Sequence, residues 1–304
     1  MENNTKNHKI GILCAIISAI IWGVLPIYWK ALESVSPIAI MFYRLILAFV
    51  VVFIVCLIIY GPKEILKPLK QKKTVLTFFL AGFAISLNWW IYIWAVNSGN
   101  ILQTSLGYYI DPLFVAVMGI LIFREKLNKY LVISLLLALL GVCVMVVSYG
   151  QIPFMALGLG VSFATYTGIK KKLQAPSLLA LLYETGLMLP IIVPLTVYLE
   201  VSGKGAFATA DTKELIILSL AGILTAMPLL FFGFAANRIS IISLGLIQYL
   251  GPSMALVIGI FMYNEPFDLY KLLGFVLIWI GLVFFTFSEI KGTSKKELPQ
   301  NPNE

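Results

Sequence analysis

Three ionisable residues lie inside long apolar stretches of the sequence, where an unpaired charge is costly. They are Arg44, Asp111 and Glu184. Ionisable side chains at membrane depth commonly mark the pathway of a substrate or an ion. Arg44 is predicted to bind an anionic group of a substrate, and Glu184 to pair with an amine or take up a coupling proton. The alternative is structural: the two residues neutralise each other, or bond to helix ends and so lock the fold.

A proline follows Asp111 directly, and a second proline stands at the matching place later in the chain. Proline disfavours helix at the residue before it, so Asp111-Pro112 and Gly251-Pro252 predict weakened helix at two points. Freed carbonyl groups there would coordinate a ligand or a cation, and Asp111 would bind a proton. The alternative is a packing kink in which Asp111 is hydrogen-bonded to a neighbour. Pro112, Gly251 and Pro252 are the predicted hinge residues.

Aromatic and polar side chains near these charges complete a predicted cavity for a flat or amphipathic solute. Tryptophan and tyrosine near a helix end most often anchor the helix at the membrane surface, which is predicted for Tyr92 and Trp94, whereas the aromatic residues closer to mid-span would line the cavity. The predicted cavity residues are Tyr43, Arg44, Asn88, Trp89, Trp90, Tyr108, Asp111, Thr165, Tyr166, Glu184, Gln248 and Tyr249.

The composition indicates which elements must position these residues. Of 304 residues, 60% are hydrophobic and only 12% are charged, whereas a soluble domain carries about 25% charged residues. Most of the chain must therefore face lipid. A helix that crosses the hydrocarbon core needs about 20 apolar residues, and none of the apolar runs alternates as a membrane barrel strand does. The ten predicted spans are 10–29, 37–60, 74–95, 101–123, 130–148, 154–169, 178–200, 214–235, 241–263 and 271–287.

The basic residues predict how these spans are oriented, because cytoplasmic loops collect lysine and arginine. With the N-terminus in the cytoplasm, 17 of the 22 basic residues fall in cytoplasmic segments and 4 fall outside the cell. This predicts a multi-pass protein of the plasma membrane with both termini in the cytoplasm. The net charge of +8 is spread between apolar runs, so no nucleic-acid surface is predicted.

The sequence repeats itself after 140 residues. Residues 75–141 align with 215–281 without a gap and match at 16 of 67 positions, including Tyr109 with Tyr249. Because this offset contains five spans, the second copy must cross the membrane in the opposite sense. Inverted repeats of this kind are typical of secondary transporters that work by alternating access. The chain is thus predicted to be all-α, with five-helix repeats at 10–149 and 150–288 and a polar cytoplasmic tail at 289–304.

Several segments are similar to the RarD branch of the EamA-type drug/metabolite transporters. The resemblance implies a ten-helix fold of two EamA repeats and a permease activity. RarD-like proteins carry the label "chloramphenicol-sensitive", which fixes no physiological substrate. Asp111 departs from the family, in which this position is more usually Asn, and the departure weakens an essential proton-carrying role for it. The similar segments are Ile21-Trp22-Gly23, Tyr43-Arg44, 89–97, 105–112, Tyr183-Glu184-Thr185, Leu189-Pro190 and 248–252.

An enzyme is disfavoured by the residues that the apolar spans lack. The single histidine, His8, lies in the polar N-terminal segment, so no histidine-based triad or histidine metal site is predicted in the membrane. No phosphate-binding glycine loop is present, and no cofactor is predicted. The predicted function is a secondary-active permease that exports small amphipathic metabolites or drugs, with coupling to a proton or another ion. The alternative is a channel-like or structural membrane protein without active transport.

Overall fold

A computed structural model of the chain describes residues 2–98, 101–263 and 268–297. Within these ranges all regular structure is helical and no strand occurs, as predicted. A 3-10 turn at Pro68–Lys70 links the second helix to the third. The helices are α1 (Glu2–Lys30), α2 (Pro37–Leu66), α3 (Lys72–Asn97), α4 (Ile101–Leu121), α5 (Lys129–Tyr149), α6 (Phe154–Leu173), α7 (Ser177–Gly186), α8 (Leu189–Val201), α9 (Ala206–Thr209), α10 (Thr212–Ser219), α11 (Ala221–Ala236), α12 (Ile241–Ile247), α13 (Leu250–Tyr263) and α14 (Leu269–Glu297).

Nine stretches in the described part of the chain are long and apolar enough to cross a membrane, against ten predicted from the sequence. The multi-pass helical fold is confirmed, and the count differs at α6. This helix carries glycine, serine, threonine and tyrosine and ends in three lysines, so it is less apolar than the others. It packs between α3 and α4, where protein rather than lipid surrounds most of its surface.

Three of the predicted spans are each divided into two helices. The span at 178–200 breaks at Leu187–Met188, just before Pro190 at the start of α8. The span at 214–235 breaks at Leu220, between α10 and α11. The span at 241–263 breaks between α12 and α13, at Gln248 and Tyr249. Helix α14 continues to Glu297, into the predicted polar tail at 289–304, whose residues 298–304 lie outside the described ranges.

The bundle has two ends that can be told apart by their polar contacts. At one end, His8 near the N-terminus lies 2.8 Å from Glu289 of α14, and we call this the terminal end. At the opposite or distal end, the Tyr28 hydroxyl donates to the Ile217 carbonyl. Helix α1 therefore runs from the terminal end to the distal end.

The helices form two groups with matching internal contacts. Group A consists of α3, α4 and α6, and group B of α11, α12–α13 and α1. Glycines allow close approach between helices because they have no side chain. Gly82 of α3 lies against the backbone of Glu184, and Gly222 of α11, which is 140 residues later, lies against the backbone of Leu47. The glycine contact that the first half makes with the second is thus repeated by the matching glycine of the second half with the first. The boundary between the two units stays a prediction.

Candidate functional site

A buried ion pair lies near the terminal end. The Lys170 ammonium of α6 donates to Glu184 Oε1 of α7 at 2.8 Å, and the Tyr166 hydroxyl donates to Glu184 Oε2 at 3.2 Å. The exposed fractions of Lys170 and Glu184 are only 5% and 2%. The next residue, Lys171, donates to the carbonyl of Ile239 at the terminal end. Both Glu184 oxygens are therefore satisfied from within the protein.

The structural alternative predicted from the sequence pairs Glu184 with Arg44, and the structure gives Glu184 a different partner. Mutual neutralisation of Arg44 and Glu184 is wrong, because Glu184 pairs with Lys170. Lys170 lies just beyond the predicted span at 154–169, and in the structure it belongs to the last turns of α6, on the same face as Tyr166. That face packs inward, so Lys170 meets a carboxylate that is 14 residues away.

An aromatic layer lies next to this ion pair and joins the two groups of helices. The ring of Phe232 in α11 lies 5.5 Å from Phe163 and stacks on Tyr166 at 6.0 Å, centroid to centroid. Trp22 of α1 contacts both phenylalanines, at 6.0 and 5.5 Å. Gly233 packs against Ser177 and the Lys170 side chain, so a β-carbon added there would lie only 3.1 Å from Ser177. Groups A and B are therefore in contact in the terminal half of the bundle.

Arg44 lies in the distal half of the bundle, about 10 Å from the start of α2 at a rise of 1.5 Å per residue. Its guanidinium is 4.1 Å from the ring centre of Trp89 and 5.4 Å from that of Trp29. Its Nε is buried without a hydrogen-bond partner. Among the described residues, no acidic side chain forms an ion pair with Arg44. Two indole rings thus lie against a cation for which residues 2–98, 101–263 and 268–297 supply no ion-pair partner.

Two tyrosines lie beside Arg44. The rings of Tyr92 and Tyr108 are 6.0 Å apart, and both hydroxyls are within electrostatic reach of Arg44. Tyr108 lies close to Arg44 and Asp111 within the bundle, yet its side chain is 46% exposed. Its ring therefore borders an open space. We call the group of Trp29, Arg44, Trp89, Tyr92 and Tyr108 the distal vestibule.

Asp111 is buried one helical turn from Tyr108. Its Oδ1 has no hydrogen-bond partner among the described residues, so the expected bond to a neighbour is missing at that atom. Gln248 Nε2 is likewise buried without a partner. Tyr249 donates its hydroxyl to the Tyr109 carbonyl at 3.0 Å and lies within electrostatic reach of Asp111. Polar atoms that are free to bind are therefore present in this part of the bundle.

Two of the predicted cavity residues are occupied by contacts within the protein. Asn88 Nδ2 donates to the Leu159 carbonyl at 2.9 Å and to Ser162 Oγ at 3.0 Å, and so ties α3 to α6. The Tyr43 hydroxyl donates to Glu200 Oε1 at 2.7 Å, which ties α2 to α8 near the distal end. Neither side chain belongs to the distal vestibule.

Trp90 and Thr165 lie on exposed helix faces. Trp90 is 52% exposed and stacks on Trp94 at 5.7 Å, away from Trp89. The Thr165 hydroxyl donates to the carbonyl of Val161, within its own helix, and the inward face of α6 is the one that carries Tyr166. The structure therefore brings neither residue to Arg44.

The two predicted hinges differ in whether the helix is interrupted. Helix α4 continues through Asp111 and Pro112 without a break, so the expected weakening does not interrupt it, and hinge motion at either site stays a prediction. A proline removes only one backbone donor, and α4 is supported by α6 and α12 on its sides. In the second repeat the chain breaks just before Leu250, and Gly251 and Pro252 lie in the first turn of α13, where the missing donor costs little.

Sequence reasoning missed three residues of the ion pair and the distal vestibule, namely Lys170, Trp29 and Tyr92, the last of which it predicts to be an interface anchor. Lys170 is one of three consecutive lysines, and nothing in that run distinguishes it. The tyrosine four residues before it was the available signal, since Tyr166 and Lys170 share one helix face. Trp29 lies one residue before the end of α1 and has the position of an interface anchor. Only the tertiary structure brings it to Arg44.

The sequence matches a family model for most of its length. The EamA-like transporter family model matches residues 9–147 and again residues 151–287. The chain belongs to this family. It is 40% identical over 287 residues to the uncharacterized transporter YojE of Bacillus subtilis, covering 93% of this chain and 95% of YojE. It is 32% identical to Protein RarD of Escherichia coli, covering 94% of this chain and 97% of RarD. The resemblance to the RarD branch is confirmed.

The fold also occurs among solved structures. One crystal structure superposes with a TM-score of 0.71 at 15% sequence identity, covering 91% of this chain and 97% of the other. At that identity the match shows the fold alone. Together with the family membership, the nine membrane-length apolar stretches found in the described residues make this protein a multi-pass membrane protein of a transporter family.

Proposed function

We propose that this protein is a secondary-active permease that exports small amphipathic metabolites or drugs by alternating access. The observation that carries the proposal is the difference between the two halves of the bundle. In the terminal half, groups A and B are in contact through the aromatic layer around Phe232. In the distal half, Tyr108 is 46% exposed beside Arg44. A bundle closed at one end and open at the other is one of the two states that alternating access requires.

The proposed topology has two inverted five-helix units, at 10–149 and 150–288. It is supported by the paired glycine contacts of Gly82 and Gly222 and by the two matches of the family model. The distribution of basic residues supports a plasma-membrane location with both termini in the cytoplasm. In that orientation the described state is closed toward the cytoplasm and open toward the outside of the cell.

A carrier explains the buried ion pair better than a channel does. A channel needs a continuous polar path, whereas the terminal half of this bundle is closed by aromatic rings and by the Lys170–Glu184 pair. An enzymatic function is not proposed, since the relatives named above are transporters and the vestibule holds a cation rather than a nucleophile and a base.

Purified protein in liposomes tests the proposal. Amino acids, amphenicols and other small amphipathic solutes are screened for uptake with and without a proton gradient. We expect at least one solute to show counterflow, in which the unlabelled solute inside accelerates entry of the labelled solute. Flux without counterflow would favour the channel alternative. No flux of any solute, from protein that is shown to be folded, would favour a structural role.

A further inference from the structure

We propose that the distal vestibule is a binding site for a monoanionic organic solute, with a carboxylate on Arg44 and an apolar or aromatic body against Trp29 and Trp89. This inference rests on the proposed transport function, because it names the class of solute that would be carried. It concerns the charge and shape of the ligand, which nothing in the family membership specifies.

The first step of the argument is the missing counter-ion of Arg44. A charge at membrane depth is stabilised by a partner, yet each nearby acid is engaged elsewhere or separated from Arg44. Glu184 is bound to Lys170, and Glu200 accepts the hydroxyl of Tyr43. Asp111 lies beyond Tyr108 and forms no ion pair with Arg44 in the described part of the chain. No acidic side chain in the described part of the chain completes the site, and we assign that role to a bound anion.

The second step is the identity of the surrounding groups. The guanidinium lies 4.1 Å from the ring centre of Trp89, an arrangement that holds a cation by attraction to the ring and leaves its N–H edge for a ligand. A guanidinium binds a carboxylate through two parallel hydrogen bonds. The hydroxyls of Tyr92 and Tyr108 lie beside it and are hydrogen-bonded to each other, so one phenol O–H remains to donate to a ligand.

The third step is the number of charges. Sites for a phosphate dianion gather several cations or backbone donors. The vestibule contains one cation, two phenol hydroxyls and two indole rings, so it suits a single negative charge attached to an apolar body. Because Tyr108 is 46% exposed, a solute can reach the site in the described state.

The test is a binding titration on purified wild-type protein in nanodiscs of phosphatidylcholine. The probes are benzoate, 3-phenylpropanoate and octanoate, each paired with its neutral amide. We expect at least one carboxylate to bind at least about tenfold more tightly than its amide, the size of a charge-assisted hydrogen-bond pair. Arg44→Gln should abolish this preference, and Arg44→Lys, which keeps the charge without the fork, should retain part of it.

A matched control removes another arginine. Arg238 is exposed just after the end of α11. Its guanidinium lies 5.2 Å from the ring centre of Phe234 and donates to the Phe234 carbonyl. Arg238→Gln should leave the preference for carboxylates unchanged. If Arg44→Gln is unstable, Arg44→Lys and the wild type still supply the comparison. An equal affinity for acid and amide in the wild type, or a preference that survives Arg44→Gln, overturns the proposal.

Two further arms separate the other outcomes. Repeating the titration in nanodiscs that contain phosphatidylglycerol tests a lipid headgroup as the anion, since an anionic lipid that occupies Arg44 would compete with the probe. Lost probe binding in those nanodiscs would assign the site to lipid and overturn the proposal.

If counterflow is found for neutral or cationic solutes only, the transport function stands and the assignment of an anion fails. If an anion binds through Arg44 but no solute is carried, the transport function fails and the binding site stands.

Discussion

The Tyr249 hydroxyl donates a 3.0 Å hydrogen bond to the carbonyl of Tyr109, the residue that stands 140 positions earlier. This separation equals the offset at which the sequence repeats, so the two tyrosines are counterparts that contact each other. Both are buried, with exposed fractions of 1% for Tyr249 and 8% for Tyr109. The bond joins group A to group B in the interior of the bundle, close to Asp111.

Tyr249→Phe removes this bond and keeps the ring. Because a buried carbonyl loses one donor, we expect the free energy of unfolding to fall by about 1 kcal/mol. Unfolding in mixed micelles at increasing denaturant measures the change. Tyr198→Phe is the control, since Tyr198 is 69% exposed, and it should have no effect. Equal stability of Tyr249→Phe and wild type would show that the bond contributes little to the fold.

We expect the free energy of unfolding to depend strongly on both residues of the Lys170–Glu184 pair. Either Lys170→Met or Glu184→Gln leaves one buried charge without its counter-ion, and we expect a loss of about 3–5 kcal/mol. The double variant removes both charges and keeps an acceptor for Tyr166, so most of the loss should be recovered. Unfolding of the four proteins gives the coupling energy.

The exposed pair of Glu64 and Lys67 is the control for that measurement. Their side chains are 56% and 70% exposed, and Lys67→Met should change stability by less than about 0.5 kcal/mol. Single and double variants of the buried pair that lose stability additively would contradict the predicted coupling.

We expect a proton gradient to accelerate transport through protonation of Asp111. Its Oδ1 is buried without a partner, and the groups within electrostatic reach are Tyr108 and Tyr249. We expect Asp111→Asn to retain flux and to lose acceleration by a proton gradient, because asparagine cannot take up a proton. Flux in proteoliposomes at several gradients measures this. Asp211→Asn, at the N-cap of α10, is the control. An unchanged pH response of Asp111→Asn would remove Asp111 from proton coupling.

The sequence predicted the class of fold and missed the details that depend on packing. Hydrophobic runs and the 140-residue repeat depend on residue type alone, and they were sufficient for a multi-pass helical bundle. The break before Leu250 and the continuous helix through Pro112 were not predictable in the same way. The two prolines are equivalent in sequence, and only their neighbours in the fold decide whether the helix bends.

For the candidate site residues, the residue type indicated which side chains could be functional, but it did not indicate which groups they contact. Arg44, Trp89 and Tyr108 lie together in the structure, and their role in lining a substrate cavity stays a prediction. Asn88 and Thr165 have the same polar character in sequence, yet their hydroxyl or amide groups bond to helix carbonyls. Which face of a helix points inward is decided by the contacts of the whole bundle, and so is the pairing of Lys170 with Glu184.

Cross-linking across the aromatic layer tests alternating access most directly. In a background without the native cysteines, Phe163→Cys and Phe232→Cys are joined by a short bifunctional thiol reagent, since their rings are 5.5 Å apart in the described state. Trp90→Cys with Trp94→Cys is the control, because both lie on the exposed face of α3. The account predicts that flux in proteoliposomes falls in proportion to cross-linking of the first pair and is unaffected by the second. Full flux through a completely cross-linked Phe163–Phe232 pair would contradict it.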